Sequence, residues 1–483
     1  MGEPTTGGES PQLPAATWVS VVLGLATVTL YGFTLCPTVS WYDSAEFSAS
    51  AASLRIVPHP PGYPLYAIIG HVFTWLPGEA AWGMNVMSAT FGALAVVLLH
   101  RVALRLGLRG AASVIPPLLL AVAPSVWGNA VVAEVYTPGL AFLLGALLLC
   151  LHAQERRDPR WAWAGAALAG AGLGVHMSLA TWGLGFVVLV GWAAGPQLRD
   201  APRAAALRWG LGCALATAAG ATVLFLVPLG PFDTVTPLGP YEDSFRRLWV
   251  RFIADVRGGV FQRYFKPMPV GARLVQIGGI AHDNLGSAGL LAAAVGVTWS
   301  AMRARVLAVA FAVGALGNVA FFFRYDVPDL DVFLLPAIVS LTVFAGWGAL
   351  AIQRASTSLG WLVGAVLVLV IVGGAARRYS ALDRSEHREA RAYGESVCTA
   401  LPEGAVLAMT SRPDEWHLYS VVLYMHEAGE GCGDVEFWGM ATVEMIQEAL
   451  NAGRPVYAFV PAPRFAWAFS IRSEGPVYRV SSS

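Results

Sequence analysis

Long apolar runs separated by short polar connections fill the chain as far as Gly374. A helix needs about 20 apolar residues to cross a hydrocarbon core of about 30 Å. The pattern predicts eleven membrane-spanning helices: Ala16–Leu35, Asn85–Arg101, Ala112–Trp127, Thr137–Leu151, Trp161–Val175, Leu179–Trp192, Trp209–Pro228, Leu285–Ala301, Val306–Phe323, Val332–Ile352 and Leu359–Gly374. As a single helix, Trp161–Trp192 would be about 48 Å long, so we interpret it as two helices that turn at His176–Ser178.

Arginines concentrate in alternate connections, after the second, fourth, sixth, eighth and tenth predicted helices. Basic residues are retained on the cytoplasmic side of a membrane, so these connections are predicted to be cytoplasmic. Residues 1–15 then form a short cytoplasmic tail, and residues 16–375 form the transmembrane domain. The opposite face carries a first extracytoplasmic loop, residues 36–83, and a long loop, residues 230–282.

The apolar pattern ends at the last predicted span. Residues 376–483 alternate strand-like runs with helical patterns, which predicts a small extracytoplasmic α/β domain. The expected strands are Ala405–Thr410, Val435–Trp438, Pro455–Val460 and Val477–Val480, and the expected helices are Trp416–His426 and Thr442–Asn451. Cys398 and Cys432 would both lie in an oxidising compartment, where either a disulfide or two buried thiols fits the sequence.

Composition agrees with an all-α polytopic membrane protein. Charged residues make up 13% of the 483 residues, about half of the ~25% usual in soluble proteins, and 56% are apolar. These values exclude an ordinary soluble enzyme and a disordered chain. The net charge is zero, which leaves no basic footprint for nucleic acid.

The placement of ionisable residues bears on function. No predicted span has Asp, Glu or Lys in its central part, whereas an ion-coupled transporter usually needs such a group near the midplane. The ionisable residues gather at the extracytoplasmic face instead, which favours chemistry on a substrate lying partly in the membrane. The alternatives are a polytopic transporter or lipid flippase, and a non-catalytic lipid-binding scaffold.

The first extracytoplasmic loop holds the strongest candidates for chemistry. Asp43 and Glu46 open an amphipathic helix expected to end near Arg55. Two interpretations of these acids stay open: one of them is a general base, or they form a capping box with Asp43 as N-cap. In the proline-rich turn that follows, His59 is either a turn residue or a donor to a phosphate or carboxylate, and Tyr63 lies near it.

Further candidates lie at the same face. Each also has a structural interpretation, such as a charge at a helix terminus, an anchor at the membrane interface or a contact with lipid headgroups. The remaining candidates for substrate binding are Arg55, Glu134, Tyr136, His176, Arg251, Arg263, Arg324, Tyr325 and Asp326.

Several strings, taken in order, resemble one family. They are YDSAEFSASAASLRIVPHPPGYPLY, NVMSATFGAL and WGNAVVAEVYTPG, with looser likeness later in the chain. They resemble a family formerly catalogued as a domain of unknown function, which includes the eukaryotic transmembrane protein O-mannosyltransferase. That family belongs to the GT-C class of integral-membrane glycosyltransferases. The resemblance covers Trp18–Gly191 best; Ala45 stands where relatives usually have Gly, and Leu238–Asp243 departs from the family pattern.

The resemblance implies a GT-C fold and a polyprenyl-phosphate-linked sugar as donor. It implies Asp43 as catalytic base, with Glu46 as second candidate, and transfer of a mannose-like sugar with inversion to a protein Ser/Thr or glycan hydroxyl. His59 and arginines of the outer face would stabilise the departing phosphate. No Asp-x-Asp motif precedes Asp43, so we expect no cofactor and no required metal. The expected location is a bacterial inner membrane, with the site and C-terminal domain in the periplasm.

Overall fold

The apolar runs fold into helices wherever they are described. The computed structural model describes residues 12–59, 61–200, 202–229, 234–235, 253, 259–409, 415–439, 441–461 and 465–482. The helices up to residue 382 are α1 (Gln12–Phe33), α2 (Asp43–Ser53), α3 (Pro64–Phe73), α4 (Ala80–Arg105), α5 (Ala111–Val122), α6 (Pro124–Ala130), α7 (Tyr136–Arg156), α8 (Pro159–Gly172), α9 (Gly183–Asp200), α10 (Pro202–Ala206), α11 (Gly212–Ala221), α12 (Leu226–Leu229), α13 (Val270–Arg303), α14 (Arg305–Phe322), α15 (Leu330–Phe333), α16 (Leu335–Ala355) and α17 (Thr357–Leu382).

All eleven predicted spans coincide with helical segments. Fewer of these segments are long and apolar enough to cross a membrane. Among the described residues, eight helical segments are long and apolar enough to cross a membrane, or nine if α5 and α6 count as one bent span. The predicted turn at His176–Ser178 is present, because α8 ends at Gly172 and a 3₁₀ turn precedes α9. The chain is therefore an integral membrane protein of mostly helical structure.

One predicted span is broken rather than continuous. The run Ala112–Trp127 bends by 58° between α5 and α6. Pro124 begins α6 and has no backbone N–H to continue the hydrogen bonds of α5. The Ser125 hydroxyl donates to Asp331 at 2.5 Å and accepts from the Asn284 amide at 3.0 Å. The break is thus tied to α13 and α15.

Close helix packing is achieved where α13 crosses α16. Gly296 and Gly348 face each other there, and a Cβ on either would collide with the backbone carbonyl of Phe344 or Ala292. Small residues allow such close approach between membrane helices. This contact holds the second half of the bundle together.

The two ends of α4 and α7 differ in chemistry. Arg105, in the last turn of α4, contacts Glu155 near the end of α7. At the other end, the Ser88 hydroxyl accepts from the backbone N–H of Glu134 at 3.1 Å. The arginine-bearing ends therefore meet at one face and the candidate acids at the other.

The C-terminal residues form a five-stranded sheet with helices. The strands are β3 (Val406–Ala408), β4 (Glu436–Trp438), β5 (Val456–Ala458), β6 (Phe469–Glu474) and β7 (Val477–Ser482), and the helices are α18 (Glu389–Ala400), α19 (Trp416–Glu427) and α20 (Val443–Asn451). The sheet order is β4-β3-β5-β7-β6; β4, β3 and β5 are parallel, and β7 and β6 are antiparallel to their neighbours. The predicted strands and helices are present, whereas α18 and β6 were not expected.

This sheet region packs directly on the first loop. Ala45 and Ala49 of α2 share a buried apolar cluster with Tyr419 and Val422 of α19. In the first loop, β1 (Ile56–Val57) also pairs in parallel with β2 (Thr234–Val235) of the long loop. The helix that carries the candidate acids therefore lies between the membrane helices and the C-terminal domain.

Cys398 and Cys432 form a disulfide, which decides the alternative left open by the sequence. We expect the variant Cys398→Ser/Cys432→Ser to unfold its C-terminal domain more easily, by about 2–4 kcal/mol, because the open chain gains conformational freedom. Thermal unfolding followed by tryptophan fluorescence measures the difference. Cys213→Ala, which removes a free thiol, serves as control, and equal melting temperatures with the disulfide open and closed would contradict the expectation.

Candidate functional site

Helix α2 presents two carboxylates at its first turn. It begins after Tyr42, whose φ is 60°, and ends before Leu54, whose φ is 54°. Acidic residues in a first turn are favoured by the helix dipole. Asp43 and Glu46 do not form the capping box considered from the sequence, because the N-cap is Tyr42 and no side chain caps the helix.

Glu46 is fully buried and bonded to His59. One carboxylate oxygen accepts from the backbone N–H of His59 and the other lies against Nδ1, both at 2.6 Å. Burial raises the pKa of Glu46, partly opposed by the neighbouring His59 charge. Burial alone would lower the pKa of His59, but the negative charges of Glu46 and Asp43 outweigh it and raise that pKa to about 9. At neutral pH the His59 imidazole is therefore positively charged and lies against the Glu46 carboxyl group.

The proline-rich turn exists in this form because of Gly62. Its φ is 100°, and a Cβ there would approach Val57 and Val227 to 2.8 and 2.9 Å. Tyr63 follows with φ 41° and is the N-cap of α3. Its hydroxyl lies 3.1 Å from Nε2 of His59, so the turn folds back and closes over the buried pair.

Three of the five non-glycine residues with positive φ in the described part of the chain lie in this loop: Tyr42, Leu54 and Tyr63. Such backbone conformations cost energy and persist where the surroundings enforce them, commonly at functional sites. They bound the helix that carries Asp43 and the turn that carries His59.

Asp43 is the accessible acid of the site. Its side chain is 42% exposed, whereas that of Glu46 is fully buried. Its Oδ1 accepts a hydrogen bond from the indole N–H of Trp416 at 3.0 Å. Its Oδ2 lies 4.0 Å from Nε2 of His59, beyond hydrogen-bonding distance.

A layer of aromatic rings lies beside the acids. Tyr63 stacks on His176 with ring centroids 5.9 Å apart, and Tyr136 lies 5.1 Å from the same imidazole. Phe333 lies 5.7 Å from His176 on one side and 5.1 Å from Tyr325 on the other. The structure thus brings together three predicted tyrosines and His176 into one wall.

Glu134 completes the acidic part of the site. Its backbone is held by Ser88, and its neighbour α7 is held by Thr137, which donates to the Ser88 carbonyl at 2.8 Å. Burial raises the pKa of Glu134 well above its usual range, and the negative charges of Asp43 and Asp329 act in the same direction. This carboxyl is therefore within electrostatic reach of the accessible acid.

Asn85, the first residue of the string NVMSATFGAL, has a structural role. Its buried amide donates to the carbonyls of Cys36 and Thr38, at 2.8 and 2.9 Å. It therefore fixes the start of the first loop on α4. The sequence indicated the string, but not that Asn85 and Ser88 position the two acid-bearing segments.

Other predicted residues lie apart from the acids. Arg55 follows the end of α2 opposite to Asp43, beyond a helix that rises about 15 Å from Asp43 to Ser53 at 1.5 Å per residue. Arg263 is exposed and lies over the ring of Tyr264 at 5.0 Å. Asp326 pairs with Lys266 at 3.3 Å. Arg324 is exposed.

Two predictions fall outside the described residues. These are Arg251 as a donor-binding residue and the Leu238–Asp243 segment that departs from the family pattern. The sequence missed Arg273, which is 1% exposed. Its guanidinium donates to the Tyr325 carbonyl at 3.0 Å and joins α13 to the loop of Tyr325.

One group of side chains could hold a metal ion. Candidate ligand atoms of Asp43, Glu46 and His59 lie within 4.8 Å of one another, the one such group found among the described residues. Glu46 and Nδ1 of His59 are bonded to each other, Nε2 contacts the Tyr63 hydroxyl, and Oδ1 of Asp43 accepts from Trp416, so an ion there would compete with these contacts. Further ligands would have to come from water or substrate.

Solved structures share this fold. The chain aligns with ArnT from Cupriavidus metallidurans in the apo state at TM-score 0.64 and 16% identity, covering 97% of this chain and 98% of that one. The form bound to undecaprenyl phosphate gives 0.60 and 15%, covering 98% of both. The apo oligosaccharyltransferase from Archaeoglobus fulgidus gives 0.53 and 12%, covering 93% of this chain and 69% of that one. The chain is thus an integral membrane protein of the GT-C fold, as the resemblance implied.

Sequence comparison finds similarity to one family over part of the chain. Residues 43–194 match the profile of the Protein O-mannosyl-transferase TMEM260 N-terminal domain. The mouse Protein O-mannosyl-transferase TMEM260 is 27% identical over 156 residues, which are 31% of this chain and 22% of the mouse protein. The Dictyostelium discoideum protein of that name is 31% identical over 84 residues, 17% of this chain and 10% of that protein. Residues 43–194 are therefore similar to the N-terminal domain of this family, and the matches span about a fifth and a tenth of the lengths of those relatives.

The ion pair of Glu46 and His59 predicts a pH dependence of stability. The pKa of His59 is raised from 6.5 to about 9, so its contribution is complete below pH 6.5 and is lost as pH rises through about 9. We expect the melting temperature of the wild type to approach that of Glu46→Gln/His59→Gln between pH 7 and 10. Differential scanning fluorimetry of both proteins measures this, and a constant difference over the range would contradict the pairing.

Proposed function

We propose that this protein is a membrane glycosyltransferase that moves a sugar from a polyprenyl-phosphate-linked donor to an acceptor hydroxyl. The observation that carries the proposal is the arrangement of an exposed carboxylate, Asp43, beside a charged imidazole, His59, at one end of a GT-C helical bundle. A transporter or flippase does not need such a pair at the membrane face, and a scaffold does not need an accessible acid.

Asp43 acts as the general base. It accepts the proton of the acceptor hydroxyl while the hydroxyl oxygen attacks the anomeric carbon. The bond from that carbon to the phosphate oxygen breaks, its electron pair leaves with the phosphate, and the configuration inverts. Glu46 is unsuited to this role, because both of its oxygens are occupied by His59 and the side chain is inaccessible.

His59 faces the developing negative charge. Its Nδ1 is held by Glu46, so Nε2 is the nitrogen directed toward Asp43 and Tyr63. A fixed positive charge stabilises a departing phosphate more than a proton donor would, since the second pKa of a phosphate monoester is near 6. Glu46 therefore positions the His59 side chain and keeps its imidazole positively charged.

The substrate classes follow from the relatives. One ArnT structure of this fold is bound to undecaprenyl phosphate, which supports a lipid monophosphate as carrier. The curated relatives are named O-mannosyl-transferases, which supports mannose as sugar and a hydroxyl as acceptor. The wall formed by Tyr63, Tyr136 and His176 borders the position in which the sugar would lie beside the acids. We place the reaction at the extracytoplasmic face, in a bacterial inner membrane, with a protein Ser/Thr or a glycan as acceptor.

Replacement of Asp43 tests the base. In membranes supplied with a labelled polyprenyl-phosphate mannose, we expect Asp43→Asn to lower the rate of transfer by about 10²–10⁴-fold, the usual contribution of a general base. Glu46→Gln should reduce the rate less, because its amide can still accept one of the two hydrogen bonds. Asp158→Asn, at the N-cap of α8, is the control, and wild-type turnover by Asp43→Asn would eliminate Asp43 as base.

Removal of divalent ions tests the expectation that no metal is required. After dialysis against EDTA, the rate of transfer should stay within about twofold of the untreated enzyme, because His59 carries the positive charge. Loss of activity that Mg²⁺ or Mn²⁺ restores would instead indicate an ion held by Asp43 and His59. The same treatment of His59→Gln separates a direct effect of the ion from instability.

A further inference from the structure

We propose that Trp416 is a positioning residue, through which the C-terminal domain holds the base Asp43 in its reactive orientation. This inference rests on the proposed function, since it concerns the residue assigned there as base. It adds a contribution of the C-terminal domain to the reaction itself.

The contact is direct and directional. The indole N–H of Trp416 donates to Oδ1 of Asp43 at 3.0 Å. The other oxygen, Oδ2, lies 4.0 Å from Nε2 of His59 and is not bonded to it. With Oδ1 engaged, Oδ2 is the oxygen directed toward the imidazole and is the one that receives the proton of the acceptor.

The surroundings keep the indole in place. Trp416 is the first residue of α19, and its ring stacks on Tyr419 with centroids 5.8 Å apart. The next residue, His417, lies 5.3 Å from the ring of Tyr42 and 5.7 Å from that of Trp41, the two residues before Asp43. The start of α19 therefore contacts Asp43 and the two residues that precede it.

The rest of the domain is anchored to the same part of the membrane bundle. The hydroxyl of Tyr424 accepts from the backbone N–H of Ala81 at 3.1 Å. Arg391 of α18 lies 3.8 Å from Glu79 and also contacts Glu430. These contacts fix α19 relative to α4, so the position of the indole is set by the fold of the domain.

Fixing the carboxylate matters because Asp43 is otherwise exposed. At 42% exposure its side chain has room to take other rotamers, and a misplacement of about 1 Å in a reacting group can cost on the order of 100-fold in rate. A single N–H from a rigid aromatic ring limits that freedom without occupying Oδ2. Helix α2 supplies the base, and the C-terminal domain supplies its orientation.

A double-mutant cycle tests the inference. Sugar transfer would be measured for the wild type, Trp416→Phe, Asp43→Asn and the double variant. Trp416→Phe keeps an aromatic ring but removes the N–H, and we expect kcat to fall about tenfold or more while KM for the lipid-linked donor stays within about twofold. In the Asp43→Asn background, Trp416→Phe should change the residual rate by less than about twofold, because the residue acts through Asp43.

Two further variants distinguish loss of the hydrogen bond from misfolding. Trp438→Phe removes a comparable N–H bond to a carboxylate, at 2.7 Å to Glu436 in the same domain, and should keep wild-type kcat. Trp416→His restores a ring N–H and should recover part of the lost rate. Melting temperatures of all variants are compared.

The outcomes separate the inference from the proposed function. Wild-type kcat for Trp416→Phe, with Asp43→Asn inactive, overturns the role of Trp416 and leaves the base in place. Equal losses on adding Trp416→Phe to both backgrounds also overturn it, because they show an effect independent of Asp43. Wild-type transfer by Asp43→Asn overturns the base and the positioning role together.

Discussion

A buried carboxylate organises the end of the helical bundle that carries the candidate site. Glu46 is fully buried, and a lone ionised carboxylate in such a place carries a large desolvation cost. The cost is offset by two hydrogen bonds from His59, one from the backbone and one from the ring. To deliver both, the proline-rich turn must fold back over α2, which requires the positive φ of Gly62 and places Tyr63 against the imidazole. The same charge pair leaves Asp43, one helical turn earlier, as the acid open to a substrate.

The second constraint comes from the C-terminal domain, which is part of the site as well as a neighbour of it. Its helix α19 buries one side of α2, where Ala45 lies in a shared apolar cluster with Tyr419. Ala45 is the position at which this chain departs from the glycine usual in the family, and its methyl group is fully buried in that cluster. Asn85 thus holds the chain that leads into α2, and Ser88 holds the segment of Glu134, whereas the C-terminal domain packs on α2 itself.

Much of this organisation can be predicted from the sequence. Apolar runs locate the membrane helices, and the polar residues of the first loop indicate the site, because charge is scarce elsewhere. The capping box considered as an alternative is not formed. Glu46 bonds His59 in the turn that follows α2 and no group at the start of its own helix. The bend at Pro124 has a local signal, but the apolar pattern continues through it and conceals the break.

Contacts between distant segments could not be predicted. Trp416 and Asp43 are 373 positions apart, and neither the spacing nor the composition of the chain points to their hydrogen bond. Lys266 and Asp326 meet because two loops lie side by side, a relation that no periodicity encodes. Strand β6 escaped prediction because most of its side chains are exposed or half-exposed, so its apolar alternation is weak.

In the proposed reaction, Asp43 and His59 flank the bond from sugar to phosphate in a lipid-linked donor. The most direct measurement is an electron cryomicroscopy structure of the protein in a lipid nanodisc containing polyprenyl phosphate. We expect phosphate density within hydrogen-bonding distance of Nε2 of His59, on the side of Oδ2 of Asp43. Phosphate bound elsewhere, with this pair facing only solvent, would contradict it.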